Sequence, residues 1–168
     1  MVGEILTGKQ SSQAVLNQQI RDASVRPIQT WNPLPPGNPL STNLTQSAVY
    51  NLLPGTYPAP TLTVPTTVNG MQSILPGMSI DAQVTVKGCR FTDTVTLSSN
   101  ARVVFDTCTF EAPVNTQPGG RATFNGCIFR GGYVNNSLGL PADVGIVGCF
   151  RTTGIPHINV TIIWERTL

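Results

Sequence analysis

Charge is scarce in this sequence. Lysine and arginine number 10 and aspartate and glutamate 8, so 11% of the 168 residues are charged and the net charge is +2. An ordinary soluble domain carries about 25%. The basic residues are scattered rather than clustered, which excludes a strongly basic nucleic-acid surface. No close CxxC pair is present, so the four cysteines do not have the spacing of a thiolate metal site. No apolar run approaches the length of a membrane span. The opening Met1-Val-Gly-Glu-Ile-Leu6 lacks the basic stretch and apolar core of a secretory signal, so synthesis in a cytoplasm is expected. The pattern Asn-x-Ser/Thr at Asn43, Asn135 and Asn159 is then a chance match.

What the sequence does have is a repeat. Cys89, Cys108 and Cys127 are spaced by 19 residues, and Cys149 follows after 22. The segments are Val84-Thr-Val-Lys-Gly-Cys89-Arg-Phe91, Val103-Val-Phe-Asp-Thr-Cys108-Thr-Phe110, Ala122-Thr-Phe-Asn-Gly-Cys127-Ile-Phe129 and Val144-Gly-Ile-Val-Gly-Cys149-Phe150. A three-residue insertion at Gly139-Leu140-Pro141 accounts for the longer fourth copy. A fixed period carrying the same apolar columns is the signature of a stacked-repeat fold.

The columns define the local structure. Val84, Val103, Ala122 and Val144 form one; Val86, Phe105, Phe124 and Ile146 form the next, two residues on and therefore on the same strand face. The cysteine column follows after three residues, which breaks strict alternation and requires a bend. Gly88, Gly126 and Gly148 stand at that bend, with Thr107 the exception. Phe91, Phe110 and Phe129 follow on the cysteine side. The segments are rich in Val, Thr, Ile and Phe, which favour strands, and Gly, Pro and Asn punctuate each gap. Rungs of this length fit single circuits of a parallel β-helix, with coils about 4.8 Å apart.

The Pro54-Gly-Thr-Tyr57 segment and the recurring Gly-Cys-x-Phe rungs resemble the right-handed parallel β-helices of the pectate-lyase-like family, which includes phage and viral structural proteins. The resemblance runs from about Tyr50 to the C-terminus. It implies an all-β, short right-handed parallel β-helix, of four to five coils and on the order of 20–25 Å tall at the ordinary strand spacing. Function is not fixed by that fold.

Two parts are expected: residues 1–45 as a helix and extended arm, and residues 46–168 as the β-helix. Residues 9–24 have Leu16 and Ile20 on one helical face, with Ser11 or Ser12 as cap. Five prolines then fall between Pro27 and Pro39, which excludes a helix or a central strand. Ile28, Trp31, Leu34 and Leu40 make this arm apolar. It either covers an open end of its own solenoid or reaches a neighbouring subunit or a capsid shell.

The candidate chemistry is thin. Stacked cysteines point side by side rather than at one another, so reduced buried thiols are expected. Glycosidase chemistry needs paired carboxylates. Asp93 aligns with Ala112 and Gly131, and Asp106 with Lys87 and Asn125, so the rungs pair none; Asp81 with Asp143 is the remaining combination. His157, the single histidine, lies beside no nucleophile motif and reads as structural. Trp31, Tyr50, Tyr57, Tyr133 and Trp164 read as packing or interface anchors before sugar platforms. In the C-terminal strand, alternation puts Ile158, Val160 and Ile162 on one face and Ile163 and Glu165 on the other.

No enzyme activity, cofactor or metal is expected. The resemblance implies a virion protein, a capsid decoration or cement protein on the capsid surface, acting as a homotrimer with the major capsid protein as partner. Leu16, Ile20, Ile28, Trp31, Leu34 and Leu40 are its expected contacts, and Cys89, Cys108, Cys127, Cys149, Phe91, Phe110 and Phe129 its structural ladder. No nucleic-acid or membrane partner is expected. The alternatives are a tail-fibre or spike segment that binds host polysaccharide, and a small polysaccharide-cleaving enzyme.

Overall fold

A computed structural model describes residues 36–37, 47–152 and 154–167, and the backbone alone of Ile28–Leu34. The chain winds as a parallel β-solenoid with three faces. The first face stacks β1 (Ile28–Leu34), β2 (Ser47–Leu52) and the leading halves of longer strands to come. β3 (Thr61–Leu62), β4 (Thr66–Leu75), β5 (Met78–Ile80), β6 (Gln83–Phe91) and β7 (Val95–Leu97) build the next two circuits. β8 (Arg102–Asp106), β9 (Thr109–Phe110), β10 (Val114–Thr116), β11 (Arg121–Asn125), β12 (Ile128–Phe129) and β13 (Val134–Asn135) build two more. A 3-10 turn, Pro141–Asp143, precedes β14 (Val144–Arg151), and β15 (Thr161–Thr167) is the last described strand. All strand pairings are parallel.

The repeat columns are the register. Ala48, Thr66, Val84, Val103, Ala122 and Val144 stand in line, which sets coil lengths of 18, 18, 19, 19 and 22 residues by subtraction. Among the described residues eight strands stack on the first face, β1, β2, β4, β6, β8, β11, β14 and β15. Seven spacings of about 4.8 Å make the prism roughly 34 Å tall. The expected four to five coils were too few: the two N-terminal coils carry no cysteine, and Ser73 occupies that place on β4.

The bend sits where the sequence puts it. Gly88, Gly126 and Gly148 have φ of 63°, 58° and 63°, and Thr107 adopts the same left-handed conformation at 52°. This turns the chain from the first face to the second without breaking the strand in β6 and β14.

The inside of the prism is the core. On the second face Phe91, Phe110 and Phe129 stack at ring separations of 5.2 and 5.3 Å. Phe105 and Phe124 stack at 5.0 Å from the first face and meet Phe110 edge-on. All five rings are fully buried. The third face contributes Leu62, Ile80 and Leu97, after which the same column turns polar with Thr116 and Asn136. Tyr50 and Tyr57 are buried, and the Tyr57 hydroxyl donates to Leu53 O at 2.9 Å and accepts from Leu53 N.

Part of the expected arm is a strand. Ile28–Leu34 pairs with β2 in parallel, and Pro33 falls within the register irregularity between Trp31 and Leu34. A proline that cannot donate to a ladder is tolerated there, at the edge of the sheet. The helix expected over residues 9–24, with Leu16 and Ile20, and Leu40 of the arm lie outside the described residues.

Candidate functional site

The C-terminal end of the solenoid differs from every coil below it. In β15 the register skips one residue: Ile162 pairs with Ile146 and Trp164 with Val147. Ile163 is squeezed out, and Glu165 lands opposite Cys149. The simple alternation expected for this strand therefore fails. Ile162 and Glu165 both enter inward columns, and Ile163 is 70% exposed.

The side chain of Glu165 is buried, and its two oxygens have separate partners. Arg151 Nε donates to Oε1 at 3.0 Å, and His157 Nε2 meets Oε2. The side chain of His157 has no exposed surface, and that of Glu165 is 4% exposed. The other ring nitrogen of His157, Nδ1, accepts the backbone N–H of Val134 at 2.9 Å. An acceptor carries no proton, so the network assigns the neutral tautomer with the proton on Nε2. The imidazole edge also packs on Phe129 at 4.5 Å. Burial holds the imidazole below its ordinary 6.5, against the opposing pull of Glu165. Arg151 donates further to Ile155 O at 3.0 Å. Three polar side chains thus seal the core where the aromatic column ends, as a stacked-repeat fold requires of its last repeat.

Around this seal the surface is apolar. Ile162 and Trp164 are about half exposed, at 51% and 50%, and Ile155 and Ile158 are also exposed. Trp164 leans edge-on against Phe150 at 5.6 Å. One edge of β15 pairs with β14, and no other described strand lies along its second edge.

The cysteine column lies inside the prism. Cys89, Cys108, Cys127 and Cys149 are free and buried. Cys108 donates to Val86 O at 3.5 Å, Cys127 to Phe105 O at 3.4 Å and Cys149 to Phe124 O at 3.2 Å. Burial pushes the Cys89 thiol far above its ordinary value, and the neighbouring thiols of Cys108 and Cys149, with burial, do the same to Cys127. Thiolate chemistry is suppressed at these two positions, whereas the hydrogen bond with Cys127 holds the Cys149 thiol below its ordinary value.

The acids are dispersed. Asp81 accepts from Ser98 and from Asn100 at 3.1 Å, whereas Asp143 accepts Leu140 N–H at 3.2 Å and lies 3.5 Å from Arg121. The two are engaged separately and make no catalytic pair. Glu111 is bound to Arg90. Among the described residues no three His, Cys, Asp or Glu side chains come together to hold a metal. Two open troughs run along the sides. One, of about 460 Å³, is lined by Thr85, Arg102, Val104, Arg121, Thr123 and Ile163. The other, of about 700 Å³, is lined by Met71, Arg90, Thr107, Thr109, Ile128 and Arg130.

Of the contact residues expected from the sequence, Ile28, Trp31 and Leu34 lie on β1, where only their backbone is described. Leu16, Ile20 and Leu40 lie outside the described residues. Cys89, Cys108, Cys127 and Cys149 share one inward column, and Phe91, Phe110 and Phe129 stack beside it. The seal of Arg151, His157 and Glu165 was not legible, because it depends on the skipped residue in β15.

No protein-family model, no curated protein and no solved structure matches the chain. The parallel β-solenoid therefore rests on the chain's own register.

Proposed function

We propose that this protein is a non-enzymatic structural module of a large assembly, a capsid decoration protein that binds a virion shell as a homotrimer. The observation that carries the reading is the C-terminal end of the solenoid, where β15 presents Ile162, Ile163 and Trp164 to solvent. A strand edge with exposed large apolar side chains and no proline invites another chain. The rest of the molecule supports a scaffold: its thiols are buried and its carboxylates are dispersed. In this reading the residues preceding β1, with Leu16 and Ile20, grip the shell, and the solenoid projects from it.

The test is co-sedimentation with undecorated capsid shells. The full chain should bind, and a chain lacking residues 1–27 should not, while keeping its β-sheet spectrum. That deletion leaves Ile28–Leu34 in place as the first rung. Equal binding by both chains would defeat attachment through the N-terminal segment.

The second reading, recognition of a host polysaccharide, draws support from the larger side trough. There Arg90 and Arg130 flank Thr107 and Thr109. Retention on an acidic capsule polysaccharide, lost in Arg130→Ala, would favour it.

A further inference from the structure

We infer that His157 is a proton-sensitive latch for the last coil: uptake of a proton at Nδ1 removes the acceptor of the Val134 N–H and loosens the turn and strand that His157 holds in place. The inference is independent of what the protein binds.

The geometry makes the two protonation states unequal. Neutral His157 satisfies two groups at once. Nδ1 accepts from the Val134 backbone on β13, and Nε2–H donates to Glu165 on β15. One imidazole therefore ties the preceding coil to the terminal strand. Protonation from solvent leaves the Nε2–H bond to Glu165 intact. It places a second N–H on Nδ1, facing the N–H of Val134. Two donors then oppose each other in a site with no exposed imidazole surface. The Val134 amide must find water instead, and it can do so only if the segment around His157 moves away.

Electrostatics alone would not give this direction. Among the described residues, the charged groups acting on His157 are Glu165 on β15 and Arg151 on β14. Glu165 favours an imidazolium, but Arg151 already holds its other oxygen at 3.0 Å and disfavours one. Phe129 packs against the ring and offers no hydrogen-bond acceptor. Burial adds to the preference for the neutral form. The segment has other ties to the coil below: Ile158 N–H bonds to Val134 O at 2.8 Å, Ile158 O accepts from Asn136 at 3.1 Å, and the side-chain amides of Asn136 and Asn159 each donate to the other's backbone carbonyl at 3.0 Å, so protonation removes one tie among several. All seven residues of β15 are exposed or partly exposed.

The test uses the full chain and amide hydrogen exchange, with rates corrected for their intrinsic pH dependence. As pH falls from about 7.5 to about 5.5, opening of residues 155–167 should rise, by up to about tenfold per pH unit below the ordinary histidine value. Residues 84–130 should not change. His157→Asn keeps an acceptor near the place of Nδ1 and takes up no proton, so its opening should be flat with pH. A pH-independent native chain, or the same rise in His157→Asn, would overturn the latch. If that variant fails to fold, the native chain still decides the matter by NMR, because His157 is the single histidine. The imidazole should titrate below 6.5 with the Val134 amide shifting at the same midpoint. An imidazole that titrates without moving that amide would overturn it as well.

Discussion

Glu165 stands one coil beyond Cys149 in the same inward column. That column begins at Ser73, continues through four buried thiols, and ends in a carboxylate held by Arg151 and His157. A charged group at the last position lets the core stop. Removing one member of a buried ion network leaves an uncompensated charge, which costs about 3–5 kcal/mol. Glu165→Ala should lower the urea midpoint by a corresponding amount, and Glu165→Gln by less. An unchanged midpoint in Glu165→Ala would show that the network contributes nothing to stability.

Phe110 is the centre of the aromatic stack, within 5.4 Å of Phe91, Phe105, Phe124 and Phe129 by ring centroid. Phe110→Ala should cost about 3–5 kcal/mol in denaturant unfolding. Val104→Ala, on the outer surface near the middle of the stack, should cost far less.

The bend glycines should not be equivalent. A Cβ on Gly88 would lie 2.7 Å from Gly70 O, whereas on Gly126 it would meet the Thr107 methyl at an ordinary 3.7 Å. Both residues have positive φ. Gly126→Ala should therefore cost about 1–2 kcal/mol for backbone strain alone, and Gly88→Ala clearly more. Thr107→Gly should be neutral or stabilising, since Thr107 already bears the strain at φ 52°. Thermal melts of the three variants check the order.

The thiols should be silent in the native state. At about pH 8 an aromatic disulfide reagent should label none of Cys89, Cys108, Cys127 and Cys149 until the chain is unfolded, since the reagent cannot reach a buried thiol. Cys127→Ser should be tolerated with only modest loss, because Ser73 already fills this column and donates to Leu53 O at 3.0 Å. Rapid labelling of the native chain would contradict the buried ladder.

Acid should reduce stability through His157. Its folded value lies below the unfolded 6.5, so the folded chain binds fewer protons than the unfolded one between those values. The stability it contributes is present above 6.5 and is lost as pH falls towards the folded value. The difference in urea midpoint between the native chain and His157→Asn should shrink over that interval. A difference independent of pH would exclude a titrating His157.

The central coils were legible because their columns are literal. Val84, Val103, Ala122 and Val144 align by counting, and the glycine before each cysteine marks the bend, with Thr107 adopting the same conformation. The coils before Cys89 fall within the resemblance that starts at about Tyr50, but their columns cannot be aligned by counting. Ser73 replaces the cysteine and Gln72, at φ 59°, does the work of the bend glycine. The strand Ile28–Leu34 was masked by Pro33, whose missing N–H is harmless at the edge of a sheet. The seal at the C-terminus was hidden because one skipped residue exchanges the faces of Ile162, Ile163 and Glu165. A period-two reading cannot see such a skip.

The most direct test of the assembly claim is the solution mass of the full chain by light scattering, with and without reductant. The account predicts a trimer of the 17.9 kDa chain, unchanged by reductant because its cysteines are buried and free. A monomer at all concentrations would contradict self-assembly, and a trimer lost on reduction would contradict the thiol ladder.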